Sequence, residues 1–151
     1  MDFVLRTAFK HEAMQLSDLA SRSKAYWPYD KEYLELCRRV THVTQEDILK
    51  WPFIVATQKD SLCGFAAVCE IKGEKMLDHL WIDPPFIGKG LGRVLFAEGV
   101  ARAKELGWSS FTIASDPYAE EFYKKIGARR IGQRESKIKK GFFLPLLEFN
   151  F

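Results

Sequence analysis

The chain has 151 residues, 47% of them hydrophobic, 14% aromatic and 28% charged, with a formal net charge of +3. That composition excludes disordered and collagen-like classes, and the length suits one globular domain over residues 1–151. No apolar run approaches the ~18 residues of a membrane-spanning helix, and so small a charge excess does not by itself argue for nucleic acid.

The opening residues Met1–Arg6 lack a basic segment followed by an apolar one, so no leader peptide is expected. Phe3–Thr7 reads as a short first strand, and residues from about 10 to 27 as a helix with Ala13, Leu16, Leu19 and Ala20 on one face. Pro28 interrupts it. Asp30 is placed to cap a second helix carrying Tyr33, Leu34, Leu36 and Cys37, and Thr44 a short third one ending near Trp51-Pro52. The period then switches. Phe53–Thr57, Leu62–Ile71 and Lys75–Asp83 read as consecutive strands joined by the turns Lys59-Asp60-Ser61 and Lys72-Gly73-Glu74. The longest helix, Gly90–Leu106, stops at Gly107. Phe111–Ala114 is a strand, and Asp116-Pro117 opens a helix ending at Gly127. Ala128–Arg134 and Phe142–Phe149 close the chain as strands. The sum is an α+β fold: a mostly antiparallel sheet of six to seven strands, flanked by helices, with one parallel βαβ unit spanning 75–83, 90–106 and 111–114. The three cysteines, Cys37, Cys63 and Cys69, lie in apolar stretches and match no CxxC spacing. Free buried thiols in a cytoplasmic protein, and no metal, are expected.

The most informative segment is Gly88-Lys89-Gly90-Leu91-Gly92, between a strand and the long helix. Glycines allow positive φ and close backbone approach. A helix N-terminus offers unpaired N–H groups and a positive dipole end, so the turn can cradle phosphate, with Lys89 and Arg93 adding charge. A turn that merely packs the helix on the sheet would use the same spacing. The dinucleotide fingerprint GxGxxG is not met, because the third glycine comes one residue early, and no GxxxxGK[ST] string exists.

Ile82-Asp83-Pro84-Pro85-Phe86-Ile87-Gly88-Lys89-Gly90-Leu91-Gly92 resembles the acetyl-CoA pyrophosphate loop of the GNAT N-acetyltransferase superfamily. Asp116-Pro117-Tyr118-Ala119-Glu120-Glu121-Phe122-Tyr123-Lys124-Lys125-Ile126-Gly127-Ala128 is similar to that family's N-x-x-A-x-x-F-Y-x-K-x-G segment. The resemblance covers residues 53–134 closely and residues 1–52 only in layout. It departs at Ile87, where the family has Gln or Arg, and at Asp116, where it has Asn. It implies that acetyl-CoA lies along Leu80, Trp81 and Ile82, the turn residues Ile87, Gly88, Lys89, Gly90, Leu91, Gly92 and Arg93, and Asp116, Ala119, Tyr123 and Lys125.

The implied reaction is attack of a primary amine, on a small molecule or peptide, at the thioester of acetyl-CoA. By position in the motif Tyr123 is the general acid, and its ordinary pKa of ~10 keeps it protonated at neutral pH. For the base, the strand offers Asp78 and His79. Strict alternation puts Met76, Asp78, Leu80 and Ile82 on one face and Leu77, His79 and Trp81 on the other, unless a bulge resets the parity. Asp78 leads on geometry and His79 on its nearness to neutral pKa. A water chain with neither acting directly is an equal alternative. The oxyanion donor implied by the resemblance is a main-chain N–H near Leu80–Ile82, where the strand splays from its parallel neighbour.

Residues Arg22–Asp30 pack Tyr26, Trp27 and Tyr29 around Pro28, where this family builds its acceptor pocket. A cation held over Trp27 or Tyr29 is one reading, a buried helix corner the other. The basic stretch Arg129–Lys140 is a solvated face or an attraction for an anion. A CoA-sensing module without turnover is the alternative function. A nucleic-acid-binding domain lacks any recognition signature, no membrane partner is expected, and a homodimer is allowed for.

Overall fold

The computed structural model describes residues 2–151. Two of its helices begin where short polar side chains cap them. Asp30 accepts from the Tyr33 N–H at 2.7 Å and starts α2 (Lys31–Thr41). Thr44 and Asp47 cap each other's backbone N–H at 3.0 and 3.1 Å and start α3 (Gln45–Lys50). The first helix is shorter than the periodicity predicts. A 3₁₀ turn, Lys10–Glu12, leads into α1 (Ala13–Lys24), and the chain turns out of it well before Pro28. The ring of a proline disfavours helical geometry in the residue preceding it, so the approach to Pro28 is non-helical. Helix α4 (Leu91–Glu105) follows Gly90 at φ +82, and Gly107 at φ +84 lies just beyond its end. A 3₁₀ turn, Pro117–Ala119, capped by Asp116, leads into α5 (Glu120–Ile126), which stops at Gly127 with φ +120.

Seven strands form one sheet in the order β1-β2-β3-β4-β5-β7-β6. They are β1 (Val4–Thr7), β2 (Phe53–Gln58), β3 (Ser61–Ile71), β4 (Glu74–Ile82), β5 (Ser110–Ala114), β6 (Arg129–Glu135) and β7 (Phe143–Asn150). Every pairing is antiparallel except β4–β5. The mostly antiparallel α+β architecture with one parallel βαβ unit is therefore the one the sequence predicts.

Alternation along β2 and β3 divides the core between the two faces. Phe53, Val55, Phe65 and Ala67 pack with Leu16, Leu19 and Ile48 on the α1/α3 face. Ile54, Ala56 and Ala66 pack with Leu91 and Leu95 of α4 on the other. Phe65, Leu16 and Leu95 are fully buried, each worth about 1.5–3 kcal/mol of transfer free energy. All three cysteines are free and buried.

Two irregularities in β4 make the site. First, its parallel pairing to β5 is confined to Met76 opposite Thr112, so beyond that point β4 and β5 diverge and leave a gap in the sheet. Second, Ala67 pairs with His79 while Val68 pairs with Leu77, so Asp78 is an extra residue with no partner on β3. This bulge resets the alternation. Leu77 joins the α4-side cluster with Val68 and Phe96, and Leu80 and Ile82 stay on that side, while His79 and Trp81 face α1 and α3. The strict two-residue pattern, which put Leu77 with His79, is corrected accordingly.

Candidate active site

A cavity of about 490 Å³ opens where β4 and β5 part. Its walls are β4 from Leu77 to Ile82, the loop through Phe86, Ile87, Gly88 and Gly90, and Gly92 and Arg93 at the start of α4. They continue through Ile113–Asp116 at the end of β5 and just beyond it, Tyr118, Ala119, Phe122 and Tyr123 around α5, Ser23 in the last turn of α1 and Trp27 just after it. His79, although in β4, does not line it. Of the residues the sequence singles out, the structure brings together Asp78, Leu80, Trp81, Ile82, Ile87, Gly88, Gly90, Gly92, Arg93, Asp116, Ala119, Tyr123 and Trp27. It does not bring His79, Lys89, Leu91, Lys125 or Tyr29 to the wall. Leu91 is 1% exposed in the α4-side core, and Lys89 and Lys125 project into solvent.

The three glycines of the turn have different reasons to be glycine. Gly88 and Gly90 sit at φ +83 and +82, and a Cβ added at either would meet nothing within 4 Å. Their backbone needs the left-handed region and leaves open space for a ligand. Gly92 is helical, and a Cβ there would fall 3.0 Å from the Phe122 ring, so it serves the close packing of α4 on α5. No side chain caps α4 at Gly90. The first-turn N–H groups therefore have no intrahelical partner, and the positive end of a 15-residue helix meets the cavity beside Arg93.

On β4 the Asp78 carboxylate, in the bulge, is 36% exposed, whereas the His79 side chain is 7% exposed. The Trp81 indole N–H donates to His79 Nδ1 at 2.9 Å, which assigns the imidazole proton to Nε2. That nitrogen lies 3.4 Å from Asp78 Oδ2. Burial against Phe53 and Phe65 pushes the His79 pKa down, opposed by the charge of Asp78. The imidazole is thus neutral, its lone pair is taken by Trp81, and it stands behind Asp78. Past the bulge, the Asp83 N–H pairs with the Cys63 carbonyl on β3 at 2.8 Å. Alternation then turns the Ile82 and Leu80 N–H groups away from β3 and into the gap toward β5.

Tyr123 stands on α5 with its ring among Phe96 and Phe122, and the residue is 7% exposed. Among the described residues its hydroxyl has no hydrogen-bond partner, yet no fully occluded side-chain polar atom goes unpaired, so the hydroxyl opens on the cavity. Burial raises its pKa, and the Asp116 carboxylate pushes it the same way.

Asp116 anchors a network that the sequence does not announce. Lys24, the last residue of α1, is buried, and its ammonium pairs with Asp116 Oδ2. The Tyr29 hydroxyl and the Tyr118 N–H both donate to Asp116 Oδ1 at 2.9 Å. The Lys24 ammonium lies 4.9 Å from the Tyr29 ring centre and 5.7 Å from that of Tyr33. The cation expected over Tyr29 is thus the chain's own Lys24, and Tyr29 is a partner of that pair. Trp27 stacks on Tyr118, with centroids 5.1 Å apart and planes within 6°. Tyr118 and Phe122, which the sequence argument did not assign to the site, lie inside the quoted motif and could have been found by asking which of its aromatics face the turn.

A family model described as an acetyltransferase (GNAT) domain matches residues 35–143. That is well over half the chain, which therefore belongs to the GNAT acetyltransferase family. No curated protein matches it. Among solved structures, a GCN5-related N-acetyltransferase from Rhodopseudomonas palustris superposes with a TM-score of 0.82 at 19% identity, over 100% of this chain and 97% of that one. The PaiA N-acetyltransferase of Thermoplasma acidophilum, in complex with coenzyme A, gives 0.79 at 20% identity over the whole of both chains. The ribosomal-protein-S18-alanine N-acetyltransferase of Escherichia coli gives 0.70 at 16% identity, over 99% of this chain and 94% of that one. At these identities the superpositions show a shared fold.

Proposed function

We propose that this protein transfers the acetyl group of acetyl-CoA to a primary amine. The observation that carries the reading is one cavity walled by three things: an uncapped helix N-terminus with its left-handed glycines, a gap between parallel strands, and the Tyr123 hydroxyl. The coenzyme A on the Thermoplasma structure and the alanine acceptor in the name of the Escherichia coli enzyme support it.

In this reading the Gly88–Gly92 backbone and Arg93 hold the pyrophosphate, without the side-chain contact that Gln or Arg at Ile87 would add. The Leu80 and Ile82 edge of β4 receives the pantetheine arm and supplies an N–H to the developing oxyanion. Asp78 binds the ammonium and takes its proton, directly or through water. The amine nitrogen then forms a bond to the thioester carbon, and as the carbon–sulfur bond breaks Tyr123 donates its proton to the departing thiolate, while the second proton of the nitrogen returns to the tyrosinate through water. The raised Tyr123 pKa does not disable it, because the same low-dielectric surroundings raise the basicity of the thiolate. His79 is a positioning residue: its neutral Nε2–H faces Asp78 and the Trp81 indole fixes its tautomer.

Release of CoA thiol from acetyl-CoA in the presence of primary amines tests this. Turnover that requires amine supports transfer. Binding of acetyl-CoA with no thiol release from any amine would instead favour a sensing module.

A further inference from the structure

The charges around the cavity are unequally matched. Arg93 stands at the phosphate end, by the glycine turn. Asp116 has its counterion inside the chain, in buried Lys24, and its other oxygen is taken by Tyr29 and Tyr118. Asp78 has no such partner: its neighbours are the neutral His79 at 3.4 Å and the protonated Cys69 thiol, whose pKa burial raises, with Asp78 pushing it the same way. Among the described residues no lysine or arginine pairs with Asp78. Away from Asp78 the cavity wall also presents aromatic surface, with Trp27 stacked on Tyr118 and Trp81 on β4. Of the two serines on the wall, Ser115 already donates its hydroxyl to the Asp116 carbonyl at 2.7 Å.

We infer that the acceptor is a monocationic primary amine on an apolar or aromatic body, its ammonium held by Asp78 and its body packed against the Trp27–Tyr118 stack. The inference rests on the acetyl-transfer reading and adds the substrate class to it. A polyamine would bring further ammonium groups into a cavity with no second free carboxylate, and burying an unpaired charge is costly. An acidic acceptor would be repelled by Asp78. A peptide would carry amide groups that the aromatic wall cannot satisfy.

The test uses the full chain with acetyl-CoA and three probes: phenethylamine, spermidine and an alanine-initiated tripeptide. Thiol release gives kcat/KM, and calorimetry gives amine affinity for the CoA-loaded protein. Phenethylamine is expected to exceed the other two by about tenfold or more in both, since apolar contacts discriminate on that scale. Asp78→Asn is expected to weaken phenethylamine binding about tenfold with CoA affinity unchanged. Preference for spermidine or the peptide overturns the inference and leaves acetyl transfer standing. If CoA binds and no amine turns over, the transfer reading falls and the calorimetric ranking alone decides the inference. If CoA does not bind, both fall.

Discussion

Replacing Lys24 with methionine removes the counterion of Asp116 while nearly preserving the length of the side chain. The two side chains are 7% and 11% exposed, so the charge left behind is poorly solvated. Asp116 Oδ1 keeps two donors, Tyr29 and Tyr118, each at 2.9 Å, but Oδ2 loses the Lys24 ammonium. Breaking a buried pair from one side costs about 3–5 kcal/mol. With Oδ1 still satisfied and the carboxylate bordering the cavity, we expect less than that, about 2–3 kcal/mol, or a fall in Tm of about 4–12 °C. Asp116→Asn alone strands Lys24 between the Tyr29 and Tyr33 rings and is also destabilising. The double variant removes both charges, restores the asparagine usual in this family, and is expected within about 1 kcal/mol of the parent. Urea denaturation followed by circular dichroism measures all four proteins of the cycle. The reasoning is refuted if Lys24→Met lies within about 0.5 kcal/mol of the parent, or if the double variant is no more stable than Lys24→Met.

Tyr123→Phe keeps the ring packed on Phe96 and Phe122, so kcat in the thiol-release assay should fall about 10²-fold with little change in stability. Gly90→Val forces a branched residue to φ +82 and obstructs approach to the turn, so CoA binding by calorimetry should be lost. Gly92→Ala acts differently: its methyl group would press on Phe122 at 3.0 Å, and that crowding of about 1–3 kcal/mol, offset by about 1 kcal/mol of helix propensity, leaves a net loss of up to about 2 kcal/mol by urea denaturation. Finally, the Arg6 guanidinium, at 2.9 and 2.8 Å, holds the Glu12 carboxyl below its ordinary value of 4.5 against the opposing effect of burial. A depressed folded-state pKa stabilises above the unfolded value, and that stability is lost as pH falls through the folded one. Urea midpoints measured below about pH 4.5 should therefore decline less for Glu12→Gln than for the parent.

Much of the fold is written in local signals. Asp30 and Thr44 cap the helices they precede, Gly107 and Gly127 take the left-handed geometry that ends them, and the switch to alternation at Phe53 marks the sheet. Those features depend on neighbouring residues alone. The site is less legible because its decisive features join distant parts of the chain. The bulge at Asp78 arises from how β4 registers on β3, and only that register shows that Leu77 faces α4 and His79 does not. The Lys24–Asp116 pair spans 92 residues, and nothing around Lys24 marks it as buried. The glycine turn was readable as a string, but the split between Gly88 and Gly90, which need positive φ, and Gly92, which clears Phe122, requires the packing of α5.

The most direct test of the account is thermal melting with acetyl-CoA, ATP and NAD in parallel. The left-handed glycines on an uncapped helix, without either of the other nucleotide motifs, predict selective stabilisation by acetyl-CoA. At ~100 times its Kd the gain is about 2.7 kcal/mol, a rise of about 5–10 °C in Tm. ATP and NAD should leave Tm unchanged. No shift with millimolar acetyl-CoA, or an equal shift with all three nucleotides, would contradict the account.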